Sequence, residues 1–342
     1  MRSSFGRRQF GTLIGLLSLC TLLTILTPHF LTVSNLLNIT EQTTINAVIA
    51  VGMTFVILSG GIDLSVGSIV AFAGVVLGSA LQAHAPIPLA ILACVGVGAA
   101  CGLVNGLLIT VGRLPPFIAT LGLMSIARGA ALLYTDGRPV SGFDQAFRSI
   151  STARPLMIPA PVILMAVVYV LSHLLLTRTT FGRYVYAIGG NEEATRLSGV
   201  RVQLQKTVVY VLAGVMSAIA AVTLTARLNS AQPIAGIMYE LDAIAATVIG
   251  GTSLLGGSGT LVGTLIGSLI MGVLRNGLNL LGISSFLQQV VIGSVIITAV
   301  LVDSVLNARS ERARTRRTVA AAQPADIGRG SQRSFSGTPE RR

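Results

Sequence analysis

The side chains able to do chemistry are few, and they stand inside or at the edges of long apolar runs. Glu41 and Asp63 flank one such run, and Asp242 opens another. A proton-driven carrier ordinarily relays protons through buried carboxylates, and only these acids could serve, all near segment ends. Uncharged polar groups are more numerous: Gln42, Thr43, Thr44 and Asn46, then Asn105, Asn276 and Asn279, and finally Gln288 and Gln289. An amide offers donors and acceptors without a fixed charge, which suits a neutral hydroxylated solute. Such a solute needs them, because an unpaired hydroxyl costs about 4–8 kcal/mol against hydrocarbon. Hydrogen bonding between helices has an equal claim on any single amide. Arg128 lies within an apolar run, where an arginine costs about 2.5–3.5 kcal/mol, so it must be paired or face a cavity. The candidates for a solute pathway are Gln42, Asn46, Asp63, Asn105, Arg128, Asn276, Asn279 and Gln288.

Enzymatic constellations are missing from the sequence. The only lysine, Lys206, follows Gln205, so no G-K-[ST] phosphate loop exists, and any ATPase driving this chain must be another polypeptide. Neither a G-x-S-x-G elbow nor an H-E-x-x-H pair occurs. Cys20, Cys94 and Cys101 all sit in apolar runs. Cys94 and Cys101 would be about 10 Å apart along one helix, too far for a disulfide. His29, His84 and His173 are scattered, with no metal-ligand spacing. No catalytic residue, metal or cofactor is expected on this chain.

The elements that must position these groups follow from composition. Of 342 residues, 52% are hydrophobic and only 11% charged, against about 25% charged in soluble domains. Aromatics make up 5% and tryptophan is absent, so the apolar mass is aliphatic and small, as suits helices packed in lipid. The net charge of +12 sits at Arg2, Arg7 and Arg8, between Arg178 and Lys206, and beyond Arg309. Those are ends and loops, so the positive-inside rule accounts for them and nucleic acid is not an expected partner.

Ten apolar segments are legible: Gly11–Leu26, Ile39–Leu58, Leu64–Leu81, Pro88–Val111, Pro116–Tyr134, Pro161–Leu176, Thr207–Leu228, Leu241–Leu255, Thr260–Leu281 and Ser284–Leu306. The first resembles a secretory signal but lacks an A-x-A-like cleavage site, so it reads as an uncleaved helix. Leu241–Leu255 is short and holds Gly250-Gly251, the mark of a broken or re-entrant helix, yet counting it keeps the arginine-rich tail inside. The expected fold is all-α: a polytopic membrane protein of about ten transmembrane helices, with pseudo-symmetric halves and both termini cytoplasmic. Residues 1–308 form the transmembrane domain in this reading, and residues 309–342 a basic, disordered tail suited to anionic lipid.

Two glycine motifs bear on architecture. Gly60-Gly61-Ile62-Asp63-Leu64-Ser65-Val66-Gly67-Ser68 and the stretch Gly250–Ser258 share G-G-x-x-L-x-x-G-S. Glycine breaks at matching places in two halves point to a transport pathway between repeats, although convergent glycine-rich breaks give the same pattern. Gly98, Gly102 and Gly106, with the pairs Gly74/Gly78 and Gly263/Gly267, form G-x-x-x-G ridges for close helix packing.

The longest inner loop, Thr177–Lys206, contains GRYVYAIGGNEEATRLSG from Gly182 to Gly199. A short amphipathic turn there can place Ala194 and Leu197 on one side and leave Glu192, Glu193 and Arg196 exposed, as docking into a partner's groove requires. Here, in Asn46–Ser68 and in Ser230–Gly257, the chain resembles the permease subunits of bacterial ABC sugar importers, the ribose transport permease family in particular. Glu193, Ala194 and Gly199 match the E-A-A-x-x-x-G coupling loop of such permeases; Thr195 replaces the second alanine, and the I-x-L-P ending is absent. The resemblance implies coupling residues Gly189, Asn191, Glu192, Glu193, Ala194, Arg196 and Gly199. It also implies a second permease subunit in a homodimer or heterodimer, a cytosolic ABC ATPase binding ATP and Mg, a periplasmic sugar-binding protein, and the bacterial inner membrane. A branched-chain amino-acid permease and a stand-alone carrier are the other readings.

Overall fold

A computed structural model describes residues 2–301 of the chain. The tail 309–342, the domain boundary at 308 and the last residues of the tenth apolar segment lie outside the described residues. In chain order the helices are α1 (Arg2–Leu26), α2 (Val33–Leu58), α3 (Val66–Gln82), α4 (Ile87–Thr110) and α5 (Pro116–Thr135). Then come strand β1 (Val140–Ser141), α6 (Gln145–Thr152), α7 (Ala160–Arg178), α8 (Thr180–Gly190) and α9 (Glu192–Leu197). The last are α10 (Val202–Leu228), β2 (Ser230–Ala231), α11 (Tyr239–Ile249) and α12 (Leu261–Leu280), with a final helix, α13, over Ser285–Leu301.

Local chemistry sets the boundaries. Prolines occupy the first turns of α4, α5 and α7, where a missing N–H costs nothing. Thr32, Thr179, Asn191 and Thr260 cap α2, α8, α9 and α12 by accepting a hydrogen bond from a backbone N–H of the first turn. Each expected apolar segment contains helix. Among the described residues, six helices (α2, α4, α5, α7, α10 and α12) are long and apolar enough to cross a membrane. The apolar parts of α1, α3 and α13 are shorter. The eighth segment is helical only as far as Ile249, the end of the 11-residue α11, and turns at Gly250-Gly251, so this helix rises about 17 Å, roughly half of a hydrocarbon core.

α2 and α10 form the buried centre, while α4, α5 and α7 keep most of their surface outward, as lipid-facing helices do. α10 packs most extensively on α4. The reason is the glycine ridge: a Cβ at Gly98 would collide with the Gly214 carbonyl, one at Gly102 with the Tyr210 carbonyl, and one at Gly106 with Thr207. Gly74 fits against Thr225, and Gly263 and Gly267 admit Gly250 and Ala246 in the same way, joining α12 to α11. β1 and β2 pair antiparallel, Val140 opposite Ala231 and Ser141 opposite Ser230, which ties the loop after α5 to the end of α10.

Overfilling such a contact costs about 1–3 kcal/mol. Gly102→Leu is therefore expected to lower the melting temperature of the purified protein in detergent. Gly96→Leu, on the open face of α4 with nothing within 4 Å, should leave it unchanged. Equal melting temperatures for the two variants would contradict the ridge packing.

Candidate functional site

The loop between α7 and α10 is built as two short helices, and its glycines meet both copies of the glycine repeat. A Cβ at Gly189 would collide with the Leu58 carbonyl and sit 2.5 Å from the Gly257 nitrogen. Gly256 would strike Gly189 and Gly60, both near 3 Å, and Gly257 would strike Gly190 at 2.8 Å. Gly256 and Gly257 also hold positive φ, +86° and +69°, which side chains with a Cβ rarely adopt. The Gly257 N–H donates to the Leu58 carbonyl at 3.0 Å, and the Tyr186 hydroxyl donates to the Gly259 carbonyl at 2.8 Å. The end of α8, the turn after α2 and the turn after α11 are thus locked backbone against backbone.

Beyond this joint α9 projects outward. The Asn191 side chain accepts from the Ala194 N–H at 2.9 Å, and Glu192 and Glu193 occupy the first turn, where the helix dipole favours acids. Glu192 pairs with Lys206 of α10 at 2.9 Å, so the single lysine braces the loop. Glu193 pairs with Arg196 at 2.7 Å with both side chains well exposed, an arrangement of little stabilising value. Thr195 is the residue α9 buries, while Leu197 is 79% exposed and Ala194 is exposed as well. The apolar side of the turn faces away from the protein. Gly199 ends the loop with φ +85°.

The polar residues inside the bundle divide into three groups. The first holds helices together. Asn276 and Asn35 exchange two amide hydrogen bonds, 2.8 and 3.0 Å, between α12 and α2. The Gln288 amide donates to Asn279 at 2.7 Å and to the Ile283 carbonyl at 2.8 Å, closing the turn from α12 to α13. The second group secures irregular backbone. Asn105 donates to the Ser65 hydroxyl at 2.8 Å, and Ser65 donates through N–H and hydroxyl to one oxygen of Asp63, at 2.8 and 2.6 Å. These bonds fix the buried turn between α2 and α3. Arg128 donates to the Pro233 and Ala235 carbonyls, 2.8 and 2.6 Å away. Those carbonyls belong to the non-helical stretch 232–238, which runs from Ala231 beside Gly78 to Gly236 against Gly67. Gly67 and Gly78 lie about 16 Å apart along α3, so this chain dips deep into the bundle, where a bare carbonyl needs a donor.

The third group lines a pocket among α2, α11 and α12. Gln42 and Asn46, one turn apart on α2, share it with Thr43, Asp242 and Arg275. The Asp242 carboxylate accepts from Arg275 at 2.6 Å and from Asn46 at 3.1 Å, its side chain nearly buried at 3% exposure. Sequence reasoning named Gln42 and Asn46 among eight pathway candidates but passed over Arg275, and it noted Asp242 only as a possible relay carboxylate. An acid and a base each stranded in apolar segments, and each in need of a partner, were the available signal.

A family model described as branched-chain amino acid transport system / permease component matches residues 35–300. The ribose import permease protein RbsC of Escherichia coli is 50% identical over 311 residues, which cover 87% of this chain and 97% of the relative. The protein of that name in Bacillus subtilis is 52% identical over 298 residues, 86% of this chain and 92% of the relative. The D-allose transport system permease protein AlsC of Escherichia coli is 40% identical over 301 residues, 87% and 92% of the two chains. No solved structure matches the chain. The family match runs from the first turn of α2 into α13 and so takes in the glycine joint, the projecting α9 and the polar pocket: the chain belongs to this family of transport-system permease components.

Proposed function

We propose that this chain is the membrane-spanning subunit of an ATP-driven ABC importer for a monosaccharide, ribose or a similar simple sugar. The observation that carries the reading is its half identity, along nearly their whole length, to proteins that import ribose. The paired amides and the Asp242–Arg275 pair leave the interior polar but balanced in charge, which suits a neutral solute better than an amino acid. Glu41 is paired with Arg154 at 3.3 Å and Asp242 with Arg275, so two of the three acids that a proton-driven carrier could relay through are engaged in ion pairs.

In this reading the chain binds no cofactor. ATP and Mg reside on a cytosolic ATPase whose groove receives Leu197 and Ala194, with Glu193 and Arg196 at its rim. A periplasmic sugar-binding protein docks at the end bearing β1 and β2, and a second permease subunit completes the pathway. About ten segments cross the inner membrane in two related halves, with both termini cytoplasmic, and α11 completes its crossing together with the irregular chain before it. Gln42 and Asn46 touch the solute, while Asp63, Asn105, Arg128, Asn276, Asn279 and Gln288 hold the pathway walls in place. Closure of the ATPase pushes α9, and the joint at Gly189 passes that push to α2 and α11 together.

Affinity purification of the chain from native membranes in mild detergent should recover an ATPase and a sugar-binding protein; recovery of the chain alone after cross-linking would favour a self-sufficient carrier. Glu193→Arg is expected to abolish ATP-coupled uptake while membrane insertion stays intact, and normal uptake would remove the coupling role. Gly189→Val should uncouple as well, because its side chain has no space between Leu58 and Gly257. Uptake by that variant near the wild-type rate would show that the joint transmits nothing.

A further inference from the structure

The geometry points to the pocket of Gln42, Thr43, Asn46, Asp242 and Arg275 as the site where the permease itself holds the passing sugar, an inference that rests on the importer reading. Asn46 stands at the middle of the 26-residue α2, with 13 residues before it and 12 after, so the pocket lies near the midplane of the membrane. α11 is a half-helix, and Asp242 is in its first turn, the position where broken helices place solute contacts.

The hydrogen bonding is incomplete in a way a sugar would complete. The Asn46 side-chain oxygen Oδ1 and the Thr43 hydroxyl are buried with no partner among the described residues. One oxygen of Asp242 takes both bonds, from Arg275 and Asn46, and no bond to the other is found among the described residues. Arg275 spends one nitrogen on Asp242 and keeps its remaining donors, with its side chain 38% exposed. A guanidinium turned outward at that depth cannot face lipid cheaply, so this side of α2 and α12 meets the pathway. Free acceptors beside free donors are what vicinal hydroxyls require, since each hydroxyl donates once and accepts as well. A purely structural ion pair would explain Asp242 and Arg275, but not the unmet Asn46 and Thr43 atoms on the same wall. Gly272 lets α12 close onto α2 beside the pocket, because a Cβ there would collide with the Thr43 hydroxyl.

The test measures sugars delivered per ATP hydrolysed, in proteoliposomes holding the permease with its ATPase and saturated with ribose-loaded binding protein. Asn46→Ala leaves the ion pair in place, and Arg275→Lys keeps the charge while losing the guanidinium fork, so both are expected to assemble. The ratio should fall by at least about fivefold in each, the effect of one lost hydrogen bond to the moving sugar. An unchanged ratio in either variant, whether or not both rates drop together, would overturn the site and leave a structural pair. ATP-driven ribose uptake by the wild-type assembly is the separate control: its absence would overturn the importer reading and the sugar site with it.

Discussion

Where Gly189 meets Leu58 and Gly257, no side chain stands between the three backbones, and the rest of the structure depends on that contact. Two main chains in van der Waals contact, with a 3.0 Å hydrogen bond from Gly257 to Leu58, have little room to slide, whereas a layer of side chains could yield by changing rotamers. The helices that leave this joint are α2, the buried centre of the bundle, and α11 with α12, which carry Asp242 and Arg275. α9 is therefore connected to both walls of the polar pocket through contiguous packed elements. The same small residues that let helices approach in lipid make this contact stiff.

A second constraint is that backbone inside a membrane must find its hydrogen bonds within the protein. This explains why several polar residues are where they are. Arg128 is an expensive group among apolar neighbours, and its cost is offset by securing the carbonyls of Pro233 and Ala235 on chain that dips beside α3. Asn105, Ser65 and Asp63 do the same for the turn after α2. Of the buried polar atoms that have no partner among the described residues, those of Thr43, Asn46 and Ser268 share the pocket lined by Asp242 and Arg275, while those of Asp63, Asn105, Tyr210 and Thr252 lie elsewhere.

Much of this was legible in the sequence, and the limits have physical causes. Apolar runs locate helix in each expected segment. The G-x-x-x-G spacings on α4 announced a flat ridge, though not that Gly214 and Tyr210 of α10 would fill it. The two G-G-x-x-L-x-x-G-S copies were visible as a repeat, but a pattern in one dimension does not show that both converge on Gly189. Ala194 and Leu197 read as one side of an amphipathic turn, yet burial falls on Thr195, because α9 packs only lightly and leaves Ala194 and Leu197 exposed. Amides defeat sequence reasoning most thoroughly. Asn276 and Asn46 look alike in sequence, and only the position of Asn35 opposite one and Asp242 beside the other separates a helix tie from a pocket wall.

The most direct test of the central claim is a structure of the assembled transporter in two states, nucleotide-free and trapped with ATP. If the glycine joint carries the motion, α8, α9 and the turns after α2 and α11 will shift as one body, and the hydrogen bond from Gly257 to Leu58 will persist in both states. Should α8 and α9 swing away from those turns when ATP binds, breaking that bond while α2 and α11 stay in place, the joint is a resting contact and the transmission runs elsewhere.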